Sequence, residues 1–382
     1  GAAVTITESG IEASGIGITC ANINGGAIGG RRNLIINGDM RIAQRGTSST
    51  STGYQTVDRM RHYHSGADEA PTYAQVDVSS GTTPYTEGFR KAFKFTNGNQ
   101  TSGAGASDAI EVVYRMEAQD LATCGWNYKS SSSFITMSFW IKSSVAQNFY
   151  GHLTTSDGTQ YNYPYETGSL TADTWTKIVK TIPGNTNLQF DNNAEKGIEI
   201  KIVGFRGTTY TGSGATLNTW AAYASGSRMP DNTSTWWTTN DTTLEITGWQ
   251  LEVGSQATAF EHRSFGEELR LCERYCETIF QGESNGAYMN NSVAYGTNQM
   301  YSILRFRTPK RATDPTLVQS TGTDYYVLYR AGGSVTANGF TAANWPNIHG
   351  SAIYNTMTCT SGDAGLLGSN NANALVLFTS EL

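Results

Sequence analysis

Charge is scarce in this chain. Lys, Arg, Asp and Glu make up 15% of its 382 residues, against roughly a quarter in ordinary soluble domains, so hydroxyls, amides and 42 glycines carry much of its polarity. The 26 basic and 32 acidic residues sum to a net charge of −6 and are thinly scattered, which leaves no basic face for a phosphate backbone and excludes nucleic acid as a partner. No run approaches the ~18 apolar residues that span a bilayer, so no membrane insertion is expected. The N-terminus also lacks the basic-then-apolar order of a signal peptide. Cysteine is sparse as well. Five residues, an odd number without regular spacing, exclude a disulfide framework and are expected as mostly free, buried thiols of a chain made in a reducing cytoplasm.

What is present is strand text. From Arg32 onward come "NLIIN", "AFKFTN", "AIEVVYRM", "FITMSFWIKSS", "TWTKIVKTI", "IEIKIVGF" and "TLEITGWQLEV", short β-branched and aromatic runs divided by turn pairs such as Asn97-Gly98 and Pro183-Gly184. Alternation in "SFITMSFWIK" puts Ile135, Met137, Phe139 and Ile141 on one face and Phe134, Thr136, Ser138, Trp140 and Lys142 on a wetter one, the pattern of an antiparallel sandwich. Four segments follow: 1–31 as an N-terminal shaft segment, 32–262 as a β-sandwich, 263–282 as a helical joint, and 283–382 as a C-terminal β-sandwich tip. The fold class is all-β. In the first segment Ile6, Ile11 and Ile16, then Ile23 and Ile28, stand five apart among glycines. That is neither a helical nor an ordinary hairpin period, and it reads either as short strands that need neighbouring copies or as a flexible Gly-rich arm. In "DYYVLYRA" both strand faces are apolar, which predicts burial on both sides.

The segment "SFGEELRLCERYCETIF" predicts a helix over 264–280. Ser264 and Glu267 form a capping box and Gly282 follows as a stop. Phe265, Leu269, Cys272, Cys276 and Ile279 recur at 4, 3, 4, 3, a coiled-coil seam that is shared between copies or docks on the β domains. Cys272 and Cys276, one turn apart, stand too far apart at Cβ for a disulfide with each other and read as small buried apolar residues.

Chemistry is harder to place. Asp39, Asp58, Glu111 and Glu117 are carboxylates that a glycoside hydrolase would have to pair across a cleft, yet no local pattern singles out a pair. Gly212-Ser213-Gly214 lacks the spacing of a nucleophile elbow. His62 and His64, at i and i+2, share a strand face where a metal is one reading and ordinary surface histidines the other. Sugar recognition needs flat amphipathic rings beside amides and hydroxyls, and two loops have that composition. One holds Trp345, Asn344, Asn347 and His349, and the other holds Trp236 and Trp237.

Two stretches resemble bacteriophage tail-fibre sequences. "RRNLIINGDMRIAQRG", with Tyr54, Asp58 and Arg59 after it, is similar to the opening of a fibre module. "GWQLEVGSQATAFEHRSFGEELRLCERYCE" is similar to its closing signature, with Cys276 where Tyr is frequent and Met60 where Trp is usual. In outline the bracketed block also resembles jelly-roll carbohydrate-binding modules, which implies a jelly-roll β-sandwich over 32–262. The resemblance implies an intertwined homotrimer in the virion tail, synthesised in the host cytoplasm, joined to tail proteins at its N-terminal end, with 1–31 as the attachment segment. It further implies a non-catalytic receptor-binding protein that contacts bacterial surface polysaccharide or lipopolysaccharide during adsorption. A polysaccharide-depolymerising tail spike and a purely structural fibre or adaptor segment are the rival readings. No cofactor is expected. A structural calcium ion at Asp39 and Glu252, on the opening and closing strands, is the metal the jelly-roll resemblance admits, the alternative being two surface carboxylates.

Overall fold

The computed structural model describes residues 5–7, 10–12, 31–282, 287–343 and 346–382. It is nearly all β, with 42% strand, 7% helix and a curled half-barrel among its antiparallel sheets, a jelly-roll β-sandwich with further sheets after it. At the N-terminus, Thr5–Thr7 pairs antiparallel with Gly10–Glu12, placing Ile6 opposite Ile11. The five-residue spacing of Ile6 and Ile11 is a hairpin spacing after all, because the pair one step beyond the residues that flank a two-residue connection stands five apart. The later isoleucines of the segment, at 16, 23 and 28, lie outside the described residues.

Two six-stranded sheets make the sandwich. The first runs, in spatial order, Ala221–Ala222, Tyr161–Ser169, Asn148–Thr155, Lys196–Arg206, Ala109–Glu117 and Arg61–Ser65; the second runs Thr176–Pro183, Phe134–Ser143, Thr243–Val253, Lys91–Thr96, Thr72–Asp77 and Ser48–Ser49. Their period-two alternation sends Ile110, Val112, Tyr114 and Met116 of the first sheet and Ile135, Met137, Phe139 and Ile141 of the second into one shared core. The opposite face of Phe134–Ser143 is drier than its polar residues suggest. Trp140 is buried against Val78, Phe89 and Ala92, with Trp175 and Phe260 beside it, and its indole N–H donates to Glu87 at 3.0 Å.

"NLIIN" is not a strand. Its two asparagines do the bonding that a ladder would otherwise do. The Asn33 Oδ1 accepts from the backbone N–H of Ile35 and of Leu251 while its Nδ2 donates to the Trp249 carbonyl. Asn37 accepts from Ile42 N–H and donates to the carbonyls of Ile42 and Asp58. Asn37 and Met40 adopt positive φ, at 61° each, a conformation Asn tolerates better than most residues. Gly38 is needed because a Cβ there would stand 2.0 Å from the Trp249 carbonyl oxygen. The closing stretch grips this loop from the other side: the Glu261 carboxylate accepts from the N–H groups of Arg32 and Asn33, and Glu268 accepts from Asn37 N–H.

The joint differs from the expected helix. Both capping-box hydrogen bonds at Ser264 and Glu267 are present, but the helix is Phe265–Glu273, and Cys276–Gln281 is a strand paired with Leu375–Thr379. The Thr278-Ile279-Phe280 run favours strand, and the C-terminal strand supplies its partner. The 4-3-4-3 seam is therefore broken between Cys272 and Cys276. Phe265 is exposed, Leu269 and Ile279 are half-buried, and of the five seam residues the two cysteines alone are fully buried.

Charge fills the space the seam does not. Arg274 donates two hydrogen bonds to the Glu117 carboxylate. Arg59, 1% exposed, lies 3.4 Å from the Tyr275 ring centroid and pairs with Glu381 beside the C-terminus. Lys310 pairs with Glu277, both buried, and burial is the main force pulling the lysine below its ordinary range, with the carboxylates opposing it.

Beyond the joint, a three-stranded sheet of Cys276–Gln281, Leu375–Thr379 and Thr316–Gln319 accompanies a seven-stranded one. Phe280, Met300, Leu304, Tyr326, Leu328 and Phe378 belong to their common core. In Tyr326–Arg330 the first three residues are buried and Tyr329 is exposed, so the face of Tyr326 and Leu328 is closed and the other is closed at Val327 but open at Tyr329.

Candidate functional site

The sequence-predicted site residues go to different places. Trp236 and Trp237 sit on the short helix Thr235–Thr238 and are wholly buried. Trp236 packs edge-on to Phe95 and Phe149, Trp237 stacks on Phe205, and their indole N–H groups donate to the carbonyls of Thr243 and Gly103. With each N–H satisfied internally, burial of both rings carries no polar penalty, and neither ring is a sugar platform. Asn344 and Trp345 lie outside the described residues. Asn347 and His349 border a shallow groove of about 340 Å³ beside Ile303 and Arg305 on the tip.

Asp39 and Glu252 each engage other partners. The Glu252 carboxylate accepts from Gln250 Nε2, Thr258 N–H and Thr258 Oγ1, while Asp39 lies 2.9 Å from Arg41 Nε. Among the described residues no group of three or more His, Cys, Asp or Glu side chains is placed to hold a metal. His62 and His64 share the strand Arg61–Ser65, but His62 is buried, bonded to Thr56 and stacked on Tyr73. Burial pulls its pKa down to about 3. His64 bonds the Tyr73 hydroxyl at 3.0 Å. Of the cysteines, Cys124, Cys272, Cys276 and Cys359 are free, and burial pushes the Cys272 and Cys276 thiols well up; Cys20 lies outside the described residues.

The outward face of the first sheet carries a dense set of charged and aromatic side chains. The residues of Ala109–Glu117 that enter the core are the even-numbered ones, so Glu111, Val113 and Arg115 face out. Register then sets Tyr63 beside Glu111 and Arg61 beside Val113 on one flank, with Lys201 beside Val113 and Glu199 beside Arg115 on the other. A long excursion after Lys196–Arg206 closes over this face. Trp220, donating to the Pro183 carbonyl, and the buried Met229 anchor it, Ala221–Ala222 adds an edge strand, and Asn162 Nδ2 donates to the Arg228 carbonyl. The result is a cleft of about 240 Å³ with Tyr63 and Tyr210 as its aromatic rings.

Its electrostatics are set by two carboxylates that are already engaged. Glu111 accepts from Arg206 Nε at 2.7 Å and lies 3.6 Å from Lys201. Burial would raise its pKa, but Lys201 and Arg206 outweigh burial and hold it at about 2. Glu199 faces Arg115, Lys196 and Lys201 at 2.8, 3.1 and 3.2 Å. Burial acts to raise its pKa as well, and these cations overcome it and lower the group strongly. Both groups are ionised at neutral pH, so neither is a proton donor for glycoside cleavage. The guanidinium groups of Arg206 and Arg228 both lie by the Tyr210 ring, at 5.1 and 4.8 Å from its centroid. Sequence reading missed this cleft: Glu111 was one carboxylate among several, and the residues around it come from positions as far apart as Arg61 and Arg228.

A second surface was missed on the tip. The outward face of the seven-stranded sheet exposes Tyr295, Tyr288, Ile303, Val293, Leu366 and Tyr329, with Tyr295 at 86% and Ile303 at 69%. Tyr301 stacks on Tyr354 in the neighbouring strand.

No family model matches the sequence, and no curated protein matches it. Solved structures similar to it include the enzymatically active domain of tailspike protein 4 of bacteriophage CBA120. There the identity is 8%, the TM-score 0.30, and the match spans 58% of this chain and 21% of that one. A putative sugar-binding protein from Bacteroides thetaiotaomicron matches at 11% identity and TM-score 0.30, over 58% of this chain and 99% of its own. The tandem CBM22 domains of Paenibacillus barcinonensis Xyn10C match at 6% identity and TM-score 0.27, over 93% and 100%. At these values the likeness is distant and assigns neither ligand nor activity. No helix among the described residues is long and apolar enough to cross a membrane.

Proposed function

We propose that this chain is a non-catalytic, glycan-recognising receptor-binding protein of a bacteriophage tail, which holds host surface polysaccharide or lipopolysaccharide during adsorption. The observation that carries the reading is the sandwich cleft: two tyrosine rings beside fixed charged donors and acceptors, the combination that seats a sugar ring by its apolar face and reads its rim. The two ionised carboxylates favour holding a glycan over hydrolysing it. In this reading three copies assemble, and the exposed apolar outer face of the tip sheet lies between them. Weak sites on each copy then gain by avidity.

The test is adsorption of the purified full chain to host cells, with Tyr210→Ala against wild type. A loss of roughly tenfold or more in bound protein, with no reducing ends released from the extracted polysaccharide, is expected. Unchanged adsorption by Tyr210→Ala, or release of reducing ends, overturns the reading.

A further inference from the structure

The cleft inverts the charge of the molecule that holds it. The whole chain carries −6, yet the cleft is lined by Arg61, Arg115, Lys201, Arg206 and Arg228 against Glu111 and Glu199, five cations to two carboxylates. Those two carboxylates are engaged by Arg206, Arg115 and Lys201, as their distances show. Among the described residues, Arg61 and Arg228 have no carboxylate partner within ion-pair reach.

Arg228 is the more telling of the two. Its guanidinium is held over the rings of Tyr210 and Tyr223, at 4.8 and 5.5 Å from their centroids, and its Nε is buried without an acceptor. Its backbone is pinned on both sides: its own N–H donates to the Tyr210 carbonyl at 3.1 Å, and its carbonyl accepts from Asn162. The backbone is thus anchored at the cleft, and the two rings seat the guanidinium there. A half-buried guanidinium seated against two aromatic rings and lacking a carboxylate partner is matched by an oxyanion, to which charge-assisted hydrogen bonds are short and strong.

We infer that the cleft takes an acidic saccharide, a pyranose bearing a carboxylate, with the carboxylate at Arg228 and Arg61 and the ring against Tyr210 or Tyr63. The inference rests on the reading of the cleft as a saccharide site and narrows its ligand class. Charge complementarity is the warrant: a neutral sugar leaves the surplus cations facing only water, whereas a carboxylate answers them.

The experiment is calorimetric titration of the full chain with oligomers of galacturonic acid and glucuronic acid, their methyl esters, and inorganic phosphate, at low and high salt. Binding of the acid oligomers is expected, weaker by about tenfold or more for the esters, and weakening as salt rises. Arg228→Gln and Arg61→Gln each lower acid-oligomer binding by about tenfold, with unfolding curves checking that both variants fold. Equal binding of acids and esters, lost in Tyr210→Ala but kept in Arg228→Gln, overturns the acidic ligand and leaves the saccharide cleft standing. Binding of phosphate alone, or of no oligomer, overturns both.

Discussion

The outer faces of two sheets in this molecule solve the same problem in opposite ways. On the sandwich, the exposed side of the first sheet is covered with ions, and most of those ions answer one another: Glu111 with Arg206 and Lys201, Glu199 with Arg115 and Lys196. On the tip, the exposed side of the seven-stranded sheet carries Tyr295, Ile303, Tyr288 and Val293, groups whose rings and methyls water solvates poorly. A substitution on the first face strands a charge within the fold. On the second it removes area that the folded chain does not itself bury. The two faces should therefore separate stability from association.

Four measurements sharpen or break that contrast. The largest effect belongs to the core beneath the first face: Trp236→Ala should cost about 3–5 kcal/mol in denaturant unfolding, and a cost under about 1 kcal/mol would contradict the burial of that indole. Next, Glu111→Ala should cost about 3 kcal/mol, because it leaves Arg206 buried without its carboxylate. If the variant is as stable as wild type, the ions of the cleft are not a mutually dependent set.

The third concerns acid. The folded pKa of His62 is lowered by burial to about 3 from an ordinary value near 6.5, so its contribution is fully present above about pH 6.5 and is lost as pH falls toward 3. Burial pushes Asp58 up to about 6 against the lowering by Arg45 and Gln44, which works the other way: the fold gains stability from that group as pH falls through 6 toward about 4. His62→Gln should remove up to about 1.4 kcal/mol per pH unit of the acid slope between roughly pH 6 and 4, and an unaltered slope would show that His62 is not held neutral. Smallest in stability is Tyr295→Ser on the tip, expected within about 0.5 kcal/mol of wild type, yet it should shift the mass in solution toward the single chain. A large loss of stability with no change of mass would mean that the tip face is closed by the chain itself.

The strands of the sandwich were legible because alternation in "SFITMSFWIK" and "AIEVVYRM" is a local signal of period two, and one buried face is enough to enforce it. The opening and closing stretches were legible too, but what they encode is architecture. Asn33, Asn37, Glu261, Arg263 and Glu268 tie the first loop to the last strand and the helix, so their spacing reports how the sandwich closes and says little about a ligand. The helix was over-extended at Cys276 because a heptad count sees only neighbours along the chain, and the competing strand partner, Leu375–Thr379, lies near the far end of it. The two tryptophans misled for a related reason: a polar loop composition at 232–241 does not reveal that Thr235–Thr238 turns both rings inward under carbonyls that satisfy them.

Local pattern was thus sufficient for the all-β class, the sandwich strands and the helix cap, since each depends on residues within a few positions of one another. The cleft belongs to the tertiary structure alone. Arg61, Glu111, Glu199 and Arg228 come from three neighbouring strands and a loop that crosses them, and no spacing in the sequence marks them as a set. Pairing register and the anchoring of the 207–232 excursion bring them together, and the low dielectric of that partly closed face is what makes their charges act on each other.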